Sequence, residues 1–312
     1  MELWQLRQRQ SLPLEIKIIM SQIRIRQWYE AWDGDVYVSF SGGKDSTVLL
    51  HLVRQLYPNV PAVFVDTGLE YPEIREFVKS VDNVVWLKPK MGFKAVLEKY
   101  GYPVVSKEQA AYIERLRSHR NDQRLINKYL NGIDYDGRKT RFKISAKWQY
   151  LVDRAPFKIS AQCCGAMKKG PIKKFEKNAK LMPFIGTMAD EGERREQNYL
   201  KDGCNGFHLK RPRSRPLSFW TEQDIWDYLK TYNVPYSTIY DMGYSRTGCM
   251  FCMFGVHLEG GVNRFQRMKH TRPKQWEYCM FKLGLAKVLD YIHVEWGGQG
   301  ELFTDTNDRV RE

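Results

Sequence analysis

The chain has 312 residues, 43% of them apolar, and a net charge of +14 from 50 Lys and Arg against 36 Asp and Glu. That length buries one large core, or one core with a smaller appendage. No apolar run is long enough to span a membrane, and the opening residues lack a secretory pattern. A cytoplasmic protein with reduced thiols is therefore expected, and six cysteines there point to metal binding or catalysis before disulfides.

Residues 14–32 space Ile16, Ile19, Met20, Ile23, Trp28 and Trp32 as the packed face of an amphipathic helix. Residues 36–40 read as a strand and 47–57 as a helix ending before Pro58. A second strand at 61–65 runs into Asp66, Thr67 and Gly68. Strand, helix, strand in that order predicts a right-handed parallel crossover. It puts Asp66, Thr67 and Gly68 at the carboxyl end of the sheet, where open α/β folds bind ligands. Asp66 or Thr67 also suits the N-cap of a helix reaching residue 80. A helix over 74–81, a third strand over 83–87 and a short helix over 93–100 follow. From 101 to 160 the pattern breaks into a basic helical insertion. A strand over 181–186 and a helix begun by Thr221 with Asp224 three residues on complete the set. The expected organisation is an N-terminal helical extension (1–33), a nucleotide-binding domain (34–252) carrying the insertion, and a C-terminal helical region (253–312). The fold class is α/β, an open, mostly parallel sheet with helices on both faces.

Charge is unevenly placed. Residues 107–180 hold 19 Lys and Arg against 7 Asp and Glu, a net of +12. That field suits a polyanion: a nucleotide, a nucleic acid or an acidic protein partner. A solvated face that keeps the protein soluble is the plainer reading.

The chemistry concentrates at Ser41, Gly42, Gly43, Lys44, Asp45 and Ser46, between the first strand and its helix. Two glycines allow positive φ and a close backbone approach to an anion. Amides of the loop and first helical turn have no intrahelical partner and can face phosphate oxygens. Lys44 adds a point charge, and Ser41 and Ser46 add hydroxyls. The four residues that separate the glycines of a Walker A loop are missing. The second signal is Cys163 and Cys164 with Cys249 and Cys252, the later pair spaced C-x-x-C. Adjacent cysteines point apart, which suits a [4Fe–4S] cube better than a compact zinc tetrahedron. Zinc and plain buried cysteines are the alternatives.

On these residues the chain resembles the phosphoadenosine phosphosulfate (PAPS) and adenylyl sulfate reductases, within the pyrophosphate-loop ATP pyrophosphatase superfamily, whose fold is adenine nucleotide alpha hydrolase-like. The resemblance extends to Pro216, Trp220, Pro235 and Tyr240 and covers roughly 36–252 apart from the insertion. It implies an adenine nucleotide held by Ser39, Ser41, Gly42, Gly43, Lys44, Asp45, Ser46, Asp66, Thr67, Gly68 and Gly186. It also implies a [4Fe–4S] cluster on Cys163, Cys164, Cys249 and Cys252, with Lys168 close by, and Arg195 as the arginine of a family segment.

Three departures bear on the reaction. Reductases of this family attack sulfur with a cysteine near the C-terminus. Here only Cys279 follows Cys252, in an aromatic, core-like helical segment. Met167 and Met188 stand where the family usually has arginine, so two bidentate anion donors are gone. Lys44 and Asp45 are retained, as in enzymes that split ATP between the α and β phosphates. The leading expectation is an enzyme of sulfur metabolism that binds ATP, with Mg²⁺ on Asp45 or Asp66. It adenylates or thiolates an acceptor and releases pyrophosphate, with Lys44, Asp45, Lys168 and Arg195 as catalytic residues. The cluster then lies beside the activated group, and Cys204 is a candidate sulfur carrier. The alternatives are a working PAPS or adenylyl sulfate reductase, and a nucleotide-gated nucleic-acid-binding module without turnover. An oligomer fits each of them.

Overall fold

The computed structural model describes residues 1–245 and 247–297. In chain order its helices begin with α1 (Leu3–Gln10) and α2 (Leu14–Ala31), then strand β1 (Val36–Ser39), α3 (Lys44–Leu56), β2 (Ala62–Val65), α4 (Pro72–Lys79) and β3 (Val84–Leu87). Four helices follow: α5 (Phe93–Tyr100), α6 (Lys107–Ser118), α7 (Gln123–Ile126) and α8 (Tyr150–Asp153). Then come α9 (Gly170–Ala179), β4 (Met182–Ile185), α10 (Glu193–Asp202), β5 (Asn205–Gly206), β6 (Arg213–Ser214) and α11 (Glu222–Thr231). The helices α12 (Arg264–Thr271), α13 (Pro273–Glu277) and α14 (Leu285–Tyr291) close the described chain.

The strands form one sheet in the order β3-β2-β1-β4-β6-β5, parallel except for the β5–β6 pair. Helices lie on both faces, as the strand-helix-strand order predicts: α3 packs against β1 and β4 on one side and α9 meets β1 on the other. Tyr37 of β1 meets Phe175 of α9 edge-on and donates its hydroxyl to Glu176. Its neighbours Val36 and Val38 point to the opposite face and are fully buried. Strand β2 is buried along its whole length, as a central parallel strand must be.

The chain divides into two compact units. The first joins Met1–Pro89 to Gly170–Gly248 and contains the whole sheet. The second joins Lys90–Lys169 to the chain from Cys249 on. The sequence-based boundaries at 33 and 252 differ from this division. The basic insertion and the C-terminal helices belong to one unit, in which the Gly255 amide donates to the Val105 carbonyl at 2.7 Å and Trp148 meets His257 edge-on.

Helix α2 is turned relative to its expected face. Trp28 is buried as expected, but Ile16, Ile19 and Ile23 are exposed, and Lys17, Ile18, Ser21 and Ile25 are buried in their place. The cause is a long-range ion pair: Lys17 Nζ reaches both carboxylate oxygens of Asp224 at 2.7 and 2.8 Å. Ser21 sits beside it, donating to the Pro216 carbonyl and accepting from the Trp220 indole. Polar partners on α11 and the preceding turn outweigh the local isoleucine pattern. The expected box at α11 forms, with Thr221 and Asp224 capping each other.

Candidate functional site

The loop between β1 and α3 takes its shape from its own residues. Helix α3 begins at Lys44, three residues earlier than the apolar pattern suggests, so Lys44, Asp45 and Ser46 form its first turn. Ser46 Oγ donates to the Gly43 carbonyl at 2.9 Å and accepts from the Ser41 amide at 3.1 Å. The two serine hydroxyls lie 3.0 Å apart. Gly42 has φ 72°, and a Cβ there would stand 2.7 Å from Val78 and 2.8 Å from Ile74 of α4. Gly43 has negative φ, and its lack of a side chain makes room for hydroxyls instead: a Cβ there would meet Thr247 Oγ1 at 2.8 Å and the Tyr240 hydroxyl at 3.2 Å, so these side chains would have to shift. Ser39 ends β1 in register with Ile185, and the next residue, Gly186, lies against the Asp45 carbonyl, where a Cβ would approach to 3.0 Å.

Lys44 is buried and surrounded. Its Nζ lies 3.1 Å from Glu222 and 3.3 Å from Asp45, with the Tyr240 ring 5.8 Å away. Burial works to lower its proton affinity, but Asp45, Glu222 and Tyr240 outweigh it and the pKa ends raised. Asp45 is pushed up by burial in spite of Lys44 and Arg195. Its Oδ1 is buried and, though near Lys44, makes no well-directed hydrogen bond. The Lys44 backbone amide donates to the Tyr240 hydroxyl at 2.8 Å. Glu222, Tyr240 and Thr247 were missed as site residues. Distance in sequence hid them, although Tyr240 lies in a segment the resemblance covers.

Asp66, Thr67 and Gly68 follow β2 at the same end of the sheet, but they cap no helix. Helix α4 starts at Pro72 with Tyr71 at the N-cap. Asp66 instead accepts from the Gly68 amide at 3.1 Å and from Arg75 at 2.9 Å, and Thr67 bonds to Glu70 through amide and hydroxyl. Both Asp66 oxygens are thus engaged inside the turn.

Past β4 lies a cleft of about 170 Å³ whose lining includes Thr187, Met188, Arg195 and two arginines not anticipated, Arg213 and Arg215. Arg195 pairs with Glu191 on its own segment. Met188 is buried, as is Met167 in the second unit.

The four cysteines of the second signal all fall in the second unit, and none of the six cysteines is in a disulfide. Burial pushes the Cys163 thiol up to about 12, reinforced by Cys164, Cys249 and Cys252 and opposed by Lys168. Cys252 is raised by burial and Cys164 and lowered by Arg264, whose Nη1 also donates to the Cys252 carbonyl at 3.0 Å. The four thiols therefore act on one another electrostatically. Among the described residues, no three His, Cys, Asp or Glu side chains are grouped closely enough to hold a single metal ion. Cys204 lies buried beside β5, its thiol pushed up to about 11 by burial, which makes it a poor sulfur carrier. Cys279 is fully buried, donates to the Trp276 carbonyl and is pushed up to about 12.

The sequence matches the phosphoadenosine phosphosulfate reductase domain over residues 35–100 and 105–254. It is 26% identical over 257 residues to an uncharacterised protein of Methanocaldococcus jannaschii, covering 81% of this chain and 42% of that one. It is 23% identical over 249 residues to an adenosine 5'-phosphosulfate reductase of Bacillus cereus, covering 78% and 83% of the two chains. The chain spans less than half the length of the two M. jannaschii relatives it matches. Among solved structures, a PAPS reductase from Candida auris aligns with a TM-score of 0.44 and 15% identity over 73% of this chain and 87% of that one. The match covers residues 41–46, β1 to β6 and both cysteine pairs, and on that match the chain belongs to the phosphoadenosine phosphosulfate reductase domain family.

Proposed function

We propose that the chain binds ATP at residues 41–46, transfers the adenylyl group to an acceptor and releases pyrophosphate. The observation that carries this reading is Lys44. It is buried in the first turn of α3, charged, and placed where an amide-rich helix start meets a glycine loop. In the reaction, an acceptor oxygen or sulfur forms a bond to the α-phosphorus while the bridging bond to the β-phosphate breaks. Pyrophosphate leaves with the electron pair, and the acceptor's proton passes to solvent. Lys44 and the loop amides stabilise the charge that grows on the leaving group, an electrostatic role requiring no covalent step from the protein. Asp45 fits a Mg²⁺ ligand better than Asp66, because Asp45 has an oxygen without a directed bond and Asp66 has none.

Cys163, Cys164, Cys249 and Cys252 offer an all-thiolate donor set, mutually coupled and close to the cations Lys168 and Arg264, which suits a [4Fe–4S] cluster. When bound, such a cluster would supply a centre for holding or relaying sulfur. Protein purified without oxygen should contain about four irons with matching sulfide; one zinc per chain overturns the assignment.

Family membership favours a second reading, reduction of an adenylyl sulfate to sulfite. Its nucleophile is the difficulty: Cys279 is too buried and too weakly acidic to attack. The test is an anaerobic assay of ATP against adenylyl sulfates, with pyrophosphate and sulfite both measured. Pyrophosphate that requires an acceptor and is lost in Lys44→Ala supports adenylation. Sulfite from an adenylyl sulfate, with no pyrophosphate from ATP, replaces it with reduction. Candidate acceptors include a nucleic acid or acidic protein drawn to the basic residues 107–180.

A further inference from the structure

The basic insertion carries a short ribbon that neither the loop nor the cysteines explain. Residues 127–148 hold six Lys and Arg against two Asp. The chain turns back on itself there. Ile133 bridges antiparallel to Lys139, the Asp134 amide donates to the Arg138 carbonyl at 2.8 Å, and the Thr140 amide donates to the Gly132 carbonyl at 2.8 Å. Gly132 and Gly137, with φ 71° and 80°, supply the left-handed backbone that this reversal requires. The base of the ribbon is fixed. Gln109 of α6 donates to the Lys143 carbonyl at 3.0 Å and accepts from the Ser145 amide at 2.9 Å. The Ile144 amide donates to the Tyr129 carbonyl at 2.7 Å, and Tyr129 is buried and stacked on Tyr112.

On this anchored base, large apolar side chains face water. Tyr135 is 64% exposed, Phe142 41% and Ile133 40%. Lys128 Nζ lies 4.9 Å from the centre of the Tyr135 ring and 5.8 Å from that of Phe142, and Arg141 stands 5.7 Å from Phe142. Two exposed rings thus share one ammonium. The ribbon's two aspartates are already taken, Asp134 by Lys128 at 2.8 Å and Asp136 by Arg138 at 3.4 Å. Lys139 and Lys143 are exposed and make no ion pair among the described residues.

A face that only kept the chain soluble would need the lysines and not the rings, which add apolar surface to water. An acidic protein segment would satisfy the lysines and leave the rings without a flat partner. A duplex keeps its base faces stacked inside and offers the rings only edges and backbone. A single strand supplies both halves, phosphates for the cations and unstacked bases for the rings.

We propose that the ribbon over residues 127–148 is a binding platform for single-stranded nucleic acid. Bases stack on Tyr135 and Phe142, and phosphates are drawn to Lys139 and Lys143. The platform lies wholly within the second unit and rests on neither reading of the reaction.

The test is fluorescence anisotropy of a labelled oligothymidine and a labelled oligouridine with the full chain, over a series of salt concentrations. A matching duplex and polyglutamate serve as competitors. Expected is single-strand binding that Tyr135→Ala and Phe142→Ala each weaken about five- to hundredfold, the range of one lost stacking partner. Lys139→Gln and Lys143→Gln should instead make the salt dependence shallower, by about 0.7 in the log–log slope per lysine. That split separates stacking from charge, because removing a ring leaves the slope unchanged. All these positions are exposed, and circular dichroism with the thermal midpoint checks that each variant folds. No binding of either strand at low salt overturns the platform, as do unchanged affinities in both ring variants. Duplex or polyglutamate that competes as well as unlabelled single strand also overturns it, the first in favour of a plain basic surface and the second in favour of an acidic protein partner. No step reads pyrophosphate, so failure here leaves the adenylating reading intact.

Discussion

The Tyr240 hydroxyl accepts the backbone amide of Lys44 at 2.8 Å, and so occupies a donor that a phosphate oxygen would otherwise use. The same hydroxyl lies 3.4 Å from Thr247 Oγ1, and both atoms would crowd a Cβ at Gly43. A tyrosine thus stands in for an anion over the first turn of α3. Nucleotide binding must exchange this bond for one to phosphate. Tyr240→Phe, which leaves the ring and removes the competitor, should tighten ATP binding by about 2- to 10-fold, the value of one net hydrogen bond. Calorimetry with ATP measures this. Weaker binding would mean that the hydroxyl contacts the nucleotide itself.

Lys17 and Asp224 form a buried pair that joins α2 to α11. Lys17→Met should destabilise the protein by about 3–5 kcal/mol, because it leaves a carboxylate out of water without its cation. Asp224 keeps its bond to the Thr221 amide at 2.7 Å, so the helix cap survives and the loss reports the ion pair. Urea unfolding gives the number. A change within a few tenths would show that the capping bonds alone satisfy Asp224.

The Asp45 carboxyl has a folded-state pKa raised above its ordinary 3.8, burial being the main cause. The folded protein therefore binds this proton more tightly than the unfolded chain does. The stabilising contribution is fully present below 3.8 and is lost as pH rises through the folded value. Asp45→Asn removes the titration. The stability of the unmodified chain relative to Asp45→Asn should fall as pH rises from the ordinary 3.8 through the raised folded value, read from paired thermal midpoints. A constant difference over that range would place the Asp45 carboxylate in contact with water or a cation.

Cys279 packs with no exposed surface and holds its thiol proton tightly. Cys279→Ala should leave turnover within about twofold while lowering stability by about 1 kcal/mol, the price of a small buried side chain. Turnover and urea midpoint measured together decide it. Loss of sulfite formation without loss of fold would make Cys279 the reductase nucleophile.

Local signals were legible in the sequence where short-range physics decides the structure. An apolar run, two glycines and a lysine specify strand, turn and helix start within a dozen residues, and β1, the loop and α3 form there. Thr221 and Asp224 likewise announce their helix from three residues apart. Helix α2 failed that test, because its inward face is chosen by a carboxylate 207 residues away. The arginine cleft was illegible for a related reason. Arg195, Arg213 and Arg215 come from α10, β6 and the residue after it, and only the sheet order unites them. Tyr240 over Lys44 is a contact across 196 residues, again without local trace.

The place of β4 in the sheet has a consequence for how the chain is made. Strand β1 pairs with β2 on one side and, through four registered residues from Val36 to Ser39, with β4 on the other. On the ribosome β4 emerges more than a hundred residues after β1. Until then one hydrogen-bonding edge of the sheet's central strand stays open, and such edges recruit other chains. Residues 90–169, the whole of the second unit's share before β4, are synthesised during that wait. Nascent chains halted before residue 182 should therefore aggregate, and those released past 214, with β4 paired on both sides, should not, which gives this protein a synthesis-stage vulnerability set by strand order alone.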